Sequence, residues 1–515
     1  MSLKTVTISS ILDGISATQY QGSKGSYDSA IAVDPDFPIG SNIKTSGALV
    51  PIAYEKFSAG SITAVPVNIV TNPKNALMYI QLSNGRIVSY DSALGTETVV
   101  SSTPDAGDGM CYYNNYLYYA KGAEVYRYGP LDGSPSETAW WVGAIGKTAP
   151  STSTLGSIRG VSIPRHTMYS HSDGSMYFCD YANGQGIINR IITKKVTNEG
   201  DTDNGSSYNA LDFPFGFRPV AIGNYGLDLA ILAVQTTNTT LNQGKACLFL
   251  WDTTNTVTFY KQIILPDPLG TALINCNGEL FAWTGNYSNG VRLSRYIGGD
   301  AMSTEIYQEE GNPPFQGAVD TLGDKIVWGG WTTYPASSAS VFSFRSKRSG
   351  LPNSLTNIAK TTSTGTTQNV TAVKYVLQDG NIKPKMVIGW RDDSTQGLDK
   401  YSTTNTFASV WRSKLTTVGN TFQIKEIRIP LGASVVSNMT LTPKVYIDDL
   451  SSSVTLTAIN STNYSGKRHV RYKSPALIQC KGENNFILEL NWTGTVSLPV
   501  TLPIVIVLDI FADEN

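Results

Sequence analysis

Ala272–Trp283 reads ALINCNGELFAW, and its order of residue types decides the fold. Apolar Ala272, Leu273 and Ile274 run into Asn277-Gly278, and Leu280, Phe281 and Trp283 resume beyond it. Asn-Gly supplies the positive φ angles that a two-residue hairpin needs, so the stretch predicts two paired strands. The same order recurs in Gly317–Trp328, GAVDTLGDKIVW, which turns at Gly323-Asp324. Further turns fall at Asn84-Gly85, Asn114-Asn115, Asp173-Gly174, near Gly226 and at Asp379-Gly380, which makes seven copies. A strand of one recognisable kind follows most of them: RIVSYDS from Arg86, EVYRYGP from Glu124, LFLWDTT from Leu248, RLSRYIGG from Arg292 and VFSFRSK from Val341. The copies lie roughly 50 residues apart, close to the ~40–50 residues of a four-stranded propeller blade.

The repeat is one of strand order, not of fixed residues. No Trp-Asp dipeptide or kelch double glycine recurs from copy to copy, and long inserts fall near 200–217 and 346–369. The turns count to seven blades, with six or eight as the alternatives that irregular spacing leaves open.

Composition agrees with an all-β protein. Charged residues make up 15% of the 515, against ~25% in ordinary globular chains. Thr, Ser, Asn, Gly and Tyr, residues of turns and strand surfaces, fill the gap. No window has the apolar spacing of a surface helix. A net charge of −1 makes no footprint for nucleic acid. The densest basic cluster, Arg345-Ser346-Lys347-Arg348, reads as a solvated loop. No apolar run reaches the ~18–20 residues of a membrane span, and the first residues have no signal-peptide stretch. The expectation is synthesis in a cytoplasm without export and no membrane insertion. The five cysteines, Cys111, Cys179, Cys247, Cys276 and Cys480, lack metal-ligand spacing and read as small buried hydrophobes.

Three regions follow. Residues 1–60 are broken by Gly and Pro into pieces too short for a core, and predict an extended arm draped over the propeller or a neighbouring subunit. Part of the arm is expected to complete the last blade. Residues 61–405 are the propeller. Residues 406–515 change to alternating strands, such as FQIKEIRIPLG from Phe422 and NFILELNWTG from Asn485, and predict an antiparallel β-sandwich of jelly-roll or immunoglobulin-like type. Ile424, Ile427 and Ile429 point inward, with a slip in the alternation at Glu426.

Residues for chemistry are sparse. His166 and His171, with Asp173 or Asp180 near, have the makings of a metal pair but read as surface-loop histidines. Glu199, Asp201 and Asp203 before Gly205 resemble half of a calcium loop. Asp180, Asp228, Glu279, Glu309, Glu310, Asp320, Asp392 and Asp393 contain no pair that stands out as a glycosidase couple, and read as turn acids. No catalytic residue, cofactor or metal is assigned. Several second strands end in an aromatic: Tyr119, Phe178, Trp283, Trp328 and Trp390. Such rings predict packing between blades; the alternative for Trp283, Trp328 and Trp390 is a glycan-stacking platform on one face.

Ala30–Gly40, AIAVDPDFPIG, with Thr45–Ser58, TSGALVPIAYEKFS, resembles virion proteins of tailed bacteriophages, as do the low-charge Thr/Asn-rich strands and Leu490–Val500, LNWTGTVSLPV. Arm, propeller and sandwich in this order are similar to tail nozzle, adaptor and tail-tip proteins. The resemblance implies a non-catalytic structural role in the virion, with a homo-oligomeric ring and other virion proteins as partners. The alternative is a carbohydrate-binding or carbohydrate-cleaving propeller that reads a host-surface glycan.

Overall fold

The structure is a computed structural model. It describes residues 2–9, 27–34, 48–57, 62–74, 77–91, 97–102, 109–122, 124–141, 157–158, 161–162, 166–182, 185–192, 207–235, 244–253, 258–286, 290–308, 311–332, 338–345, 354–376, 384–393, 395–448 and 451–511. Among them, helical structure is confined to the four-residue Ser461–Tyr464 and the 3-10 turn Gln316–Ala318; the chain is all-β.

Four-stranded sheets occur seven times among the described residues. Their first strands are Pro66–Thr71, Met110–Tyr113, Met168–Ser170, Phe217–Tyr225, Leu269–Cys276, Val319–Leu322 and Asn369–Val376. In six sheets the four strands are consecutive in the chain. The seventh runs Asn369–Val376, Lys385–Arg391, Gln396–Ser402 and then Ala53–Phe57 at its edge. A strand from the first 60 residues thus takes the edge place in the last sheet.

Turn chemistry explains the consecutive order. Asn277 (φ 53°) and Gly278 (φ 79°) both adopt the left-handed region that the tight hairpin requires, and Asn114 and Asn115 do the same at 46° and 71°. Gly174, Gly226 and Gly323 supply positive φ at the equivalent hairpin of the third, fourth and sixth sheets. Gly85 is an exception. It joins Met78–Leu82 to Ile87–Tyr90, the second and third strands, so the first copy reads one hairpin out of phase. The actual first hairpin of that sheet passes through Pro73-Lys74, which carries no Asn-Gly signal. Asp379-Gly380 lies outside the described residues. The five aromatic-containing segments quoted above all fall on third strands, including Glu124–Gly129 and Val291–Tyr296.

Lys56–Thr332 and Ser363–Lys400 form one compact unit. Within it each first strand touches the next, and Asn369–Val376 touches Pro66–Thr71, so the series returns to its start. Sheets pack through leucine-rich faces. Leu232, Leu248 and Leu250 of the fourth meet Leu269, Leu273 and Leu280 of the fifth, each burial contributing ~1.5–3 kcal/mol.

Met1–Glu55, Thr333–Thr362 and Tyr401–Asn515 form the other unit. One sheet has the order Ser2–Ile8, Ile504–Ile510, Phe422–Pro430, His469–Lys473; the other has Tyr27–Ile31, Ser409–Ser413, Asn485–Trp492, Thr440–Ile447, Ser453–Thr455. One apolar core takes side chains from both: Phe422, Ile424, Ile427 and Ile429 from the first, Trp411, Leu441, Leu488 and Trp492 from the second. Ser2–Ile8 and Tyr27–Ile31 lie in these sheets, Val33–Asp34 and Val50–Pro51 pair with each other, and Tyr27 Oη bonds Thr356 Oγ1 at 2.9 Å.

The slip at Glu426 is a change of register against Ile504–Ile510 between Ile424 and Glu426, which lets both Ile424 and Ile427 face the core. Glu426 is left among Arg471 and Arg428, whose hydrogen bonds hold its carboxyl at about 2. That value lies below the unfolded ~4.3. Its stabilising contribution is therefore complete above pH ~4.3 and lost as pH falls through ~2. Denaturant titrations across this window are expected to show Glu426→Gln less stable than the parent at pH 7 and equal to it near pH 2. A constant difference at every pH would remove Glu426 from the acid transition.

Candidate functional site

The first strands of the seven sheets line a cavity of about 400 Å³ within the unit of Lys56–Thr332 and Ser363–Lys400. Eight of its polar residues, Asn68, Thr167, Tyr169, Asn224, Asn275, Gln316, Asp320 and Lys374, take part in bonds to the neighbouring sheet. Asn68 Nδ2 donates to Met110 O at 3.2 Å, and Thr167 Oγ1 to Val220 O at 2.7 Å. Tyr169 Oη donates to Asn224 Oδ1 at 2.9 Å, while Asn275 Nδ2 donates to Asn224 O at 3.1 Å. Gln316 closes a reciprocal pair with the Leu273 main chain, accepting from its N–H at 2.8 Å and donating to its carbonyl at 2.9 Å. Asp320 pairs with Lys374 Nζ at 2.8 Å and accepts from Tyr375 N–H at 2.8 Å. These bonds join sheets at the innermost strand, where a side chain of modest length reaches the next backbone.

Burial holds the cavity's Cys111 thiol and Tyr169 phenol in their protonated forms. Burial pushes the Cys111 thiol up to about 12 despite a backbone hydrogen bond and the Lys374 charge. Burial likewise raises Tyr169 to about 12. A nucleophile of that kind is almost wholly protonated.

The 3-10 turn Gln316–Ala318 touches the first strands of the first, fifth and seventh sheets, and so reaches across the cavity's lining. Gly317 makes this approach possible: a Cβ there would sit 2.1 Å from Val67 O, a backbone atom. Gly317→Ala is expected to destabilise the unit by ~1–3 kcal/mol through displacement of the turn. A parent-like urea midpoint would show that the turn has room.

The structure places the sequence candidates as follows. Trp283, Trp328 and Trp390 are 0%, 2% and 2% exposed. Trp283 and Trp328 lie 5.8 Å apart between centroids, Trp390 Nε1 donates to Asp399 Oδ1 at 2.7 Å, and Lys56 Nζ lies 5.2 Å from the Trp390 ring. Rings so covered present no face to a sugar; their partners are protein groups. His166 and His171 are buried, and so are not surface histidines: His166 is bonded to Cys179 O (3.1 Å) and His171 is set beside Asp173 (3.2 Å). No group of three metal-ligating residues occurs among the described residues. Among the acids, Asp228 accepts from Tyr260 Oη at 2.5 Å and Glu279 pairs with Arg295 at 2.7 Å. Asp392 and Asp393 cap the N–H groups of 364–367. Glu309, Glu310 and the 199–205 loop lie outside the described residues, as does most of 345–348. The five cysteines are free and buried. Sequence reasoning missed Asn68, Asn224, Asn275, Gln316 and Lys374, because no local pattern tells which inner-strand amide meets which neighbour.

No family model and no curated protein matches the sequence. Solved structures to which the chain is similar include the β-propeller domain of Cps50 (Swd1) from Myceliophthora thermophila, at 12% identity and TM-score 0.41, covering 68% of this chain and 99% of that one. The WD40 domain of Pan2 from Neurospora crassa is similar at 9% identity and TM-score 0.41, covering 69% and 95%. A putative oxidoreductase (glucose dehydrogenase) from Thermus thermophilus is similar at 12% identity and TM-score 0.37, covering 54% and 93%. This all-β chain thus has β-propeller and WD40 domains as structural neighbours.

Proposed function

We propose that this protein is a non-catalytic structural component of a bacteriophage virion, tail or tail-associated, that acts through subunit contacts. In this reading it is a seven-bladed β-propeller joined to an antiparallel β-sandwich. The observation that carries the non-catalytic part is the cavity lining. Its amides, its Thr167 hydroxyl and its Asp320–Lys374 pair are engaged in joining one sheet to the next. Groups committed in this way stiffen a scaffold and leave little to bind or turn over a substrate. The blade count is supported by seven four-stranded sheets whose first strands form a returning series. The sandwich is supported by two sheets sharing one core. The virion assignment rests on the likeness of Ala30–Ser58 and Leu490–Val500 to tailed-phage proteins.

Rigid propeller faces suit symmetric assembly, since ring contacts need surfaces that do not reorganise. The partners are further copies of this chain and other virion proteins, and the site of action is the virion. Light scattering and negative-stain microscopy of the purified protein test this directly. Rings, or binding to phage particles, are expected; a monodisperse monomer with saturable glycan affinity would overturn the reading in favour of a glycan-binding propeller.

A further inference from the structure

We infer that the N-terminal strand Ser2–Ile8 is exchanged between copies of this chain, each copy seating it against Ile504–Ile510 of a neighbour. The inference rests on the oligomeric reading above and gives it a mechanism. The strand pairs antiparallel over its whole length, from Ser2 opposite Ile510 to Ile8 opposite Ile504. It occupies the edge of its sheet, with Ile504–Ile510 as its one strand partner among the described residues. Its own burial is slight: Ser2, Leu3, Lys4, Thr5 and Thr7 are exposed, and only Val6 and Ile8 pack against the core. Leu3 is 74% exposed, an apolar side chain that gains almost nothing from its own unit.

Without this strand, Ile504–Ile510 would be an open edge carrying Ile504, Ile506 and Leu508, the kind of edge that recruits a strand from another chain. The seat reads backbone groups and two small apolar side chains. A second copy's Ser2–Ile8 satisfies it as well as the resident one, so both arrangements make the same contacts. The choice between them is set by tether length and local concentration. The next described strand begins at Tyr27, about 19 residue steps away, a reach of roughly 60 Å when extended. That reach spans to an adjoining subunit, and neighbours held in an assembly are present at high local concentration. Exchange then links copies at no cost in contacts, a low-barrier route to stable oligomers.

The test is a paired-cysteine variant of the full chain, Thr7→Cys with Val505→Cys, at directly opposed positions on the two strands. Opposed positions of an antiparallel pair bring Cα atoms within disulfide range. The native cysteines are buried and compete little. The protein is purified reduced, checked for parental circular dichroism and light-scattering mass, then oxidised and run on denaturing gels without reductant. Exchange predicts a shift from the one-chain position to covalent multi-chain bands that collapse on reduction. A disulfide within single chains of an oligomeric protein overturns the exchange but leaves the assembly reading standing. The same disulfide in a monomer overturns both. Failure to form any disulfide in correctly folded protein overturns the strand pairing on which the inference stands.

Discussion

Trp283→Ala is expected to lower the stability of its unit by ~3–5 kcal/mol, among the largest losses a single side chain can cause. The ring is fully buried on the strand Glu279–Gly285, opposite Ala272 on one side and Leu293 on the other. Its second contact is Trp328 of the sixth sheet, at 5.8 Å and an interplanar angle of 55°. Deleting it empties a space between two sheets whose backbones are fixed by their own ladders, so collapse into the void is limited. The indole N–H has no hydrogen-bond partner, so the loss is one of packing alone. Trp283→Phe should therefore recover much of it. A fall of ~1 M or more in the urea midpoint is the expected reading for the alanine variant. A midpoint within error of the parent would mean that the ring does not hold the fifth and sixth sheets together.

The second large effect is expected at Glu489, in the other unit. Its carboxylate is buried, and it accepts from Arg412, from Asn491 Nδ2 at 2.6 Å and from Tyr446 Oη at 3.2 Å, with Lys444 Nζ 3.6 Å away. Burial alone pushes the carboxyl up. The hydrogen bonds from Asn491 and Arg412 and the Arg412 and Lys444 charges outweigh it and hold the group below its usual range. Arg412 is itself largely covered and lies 4.9 Å from the Tyr446 ring. Removing the carboxylate leaves a guanidinium without its counter-charge in that setting. Glu489→Leu should cost ~3–5 kcal/mol. The double variant Glu489→Leu, Arg412→Met should recover a large part, because the covered guanidinium goes with its carboxylate and the Lys444 ammonium that stays is the more exposed of the two cations. Thermodynamic cycles on the four proteins measure the coupling. A coupling near zero would show that water, and not Glu489, satisfies Arg412.

Both sites bear on how far the chain can be read without coordinates. Trp283 stands out in the sequence as an aromatic closing a second strand, but its exposure does not. A tryptophan at that place has one face toward its own sheet whether or not another sheet covers the opposite one. Sugar stacking and blade packing thus make the same local pattern. Glu489 sits in NFILELNWTG, where strand alternation is plain, and nothing in that stretch names Arg412, 77 residues earlier. The hairpin at Asn84-Gly85 shows a subtler limit. Its turn is real, but a Gly-bearing turn says that two strands meet, not which two of the four. With Pro73-Lys74 in the true first hairpin, the phase of that copy was hidden.

What the amino-acid order determined by itself is whatever depends on a few adjacent residues. The Asn-Gly and Asn-Asn hairpins follow from positive φ, the all-β character from β-branched and aromatic strands with scarce helical periodicity, and the break at Glu426 from an alternation that slips by one residue. Tertiary structure alone decided the rest. It selected Ala53–Phe57 as the arm segment that lies beside Gln396–Ser402, and set Ser2–Ile8 along Ile504–Ile510 and Gly317 against Val67. It also turned Asn68, Asn275 and Gln316 into bonds between sheets. The physical reason is that dihedral preferences act over two or three residues. Strand-edge pairing and burial are satisfied by any segment of suitable pattern, and only the closed set of contacts selects which one.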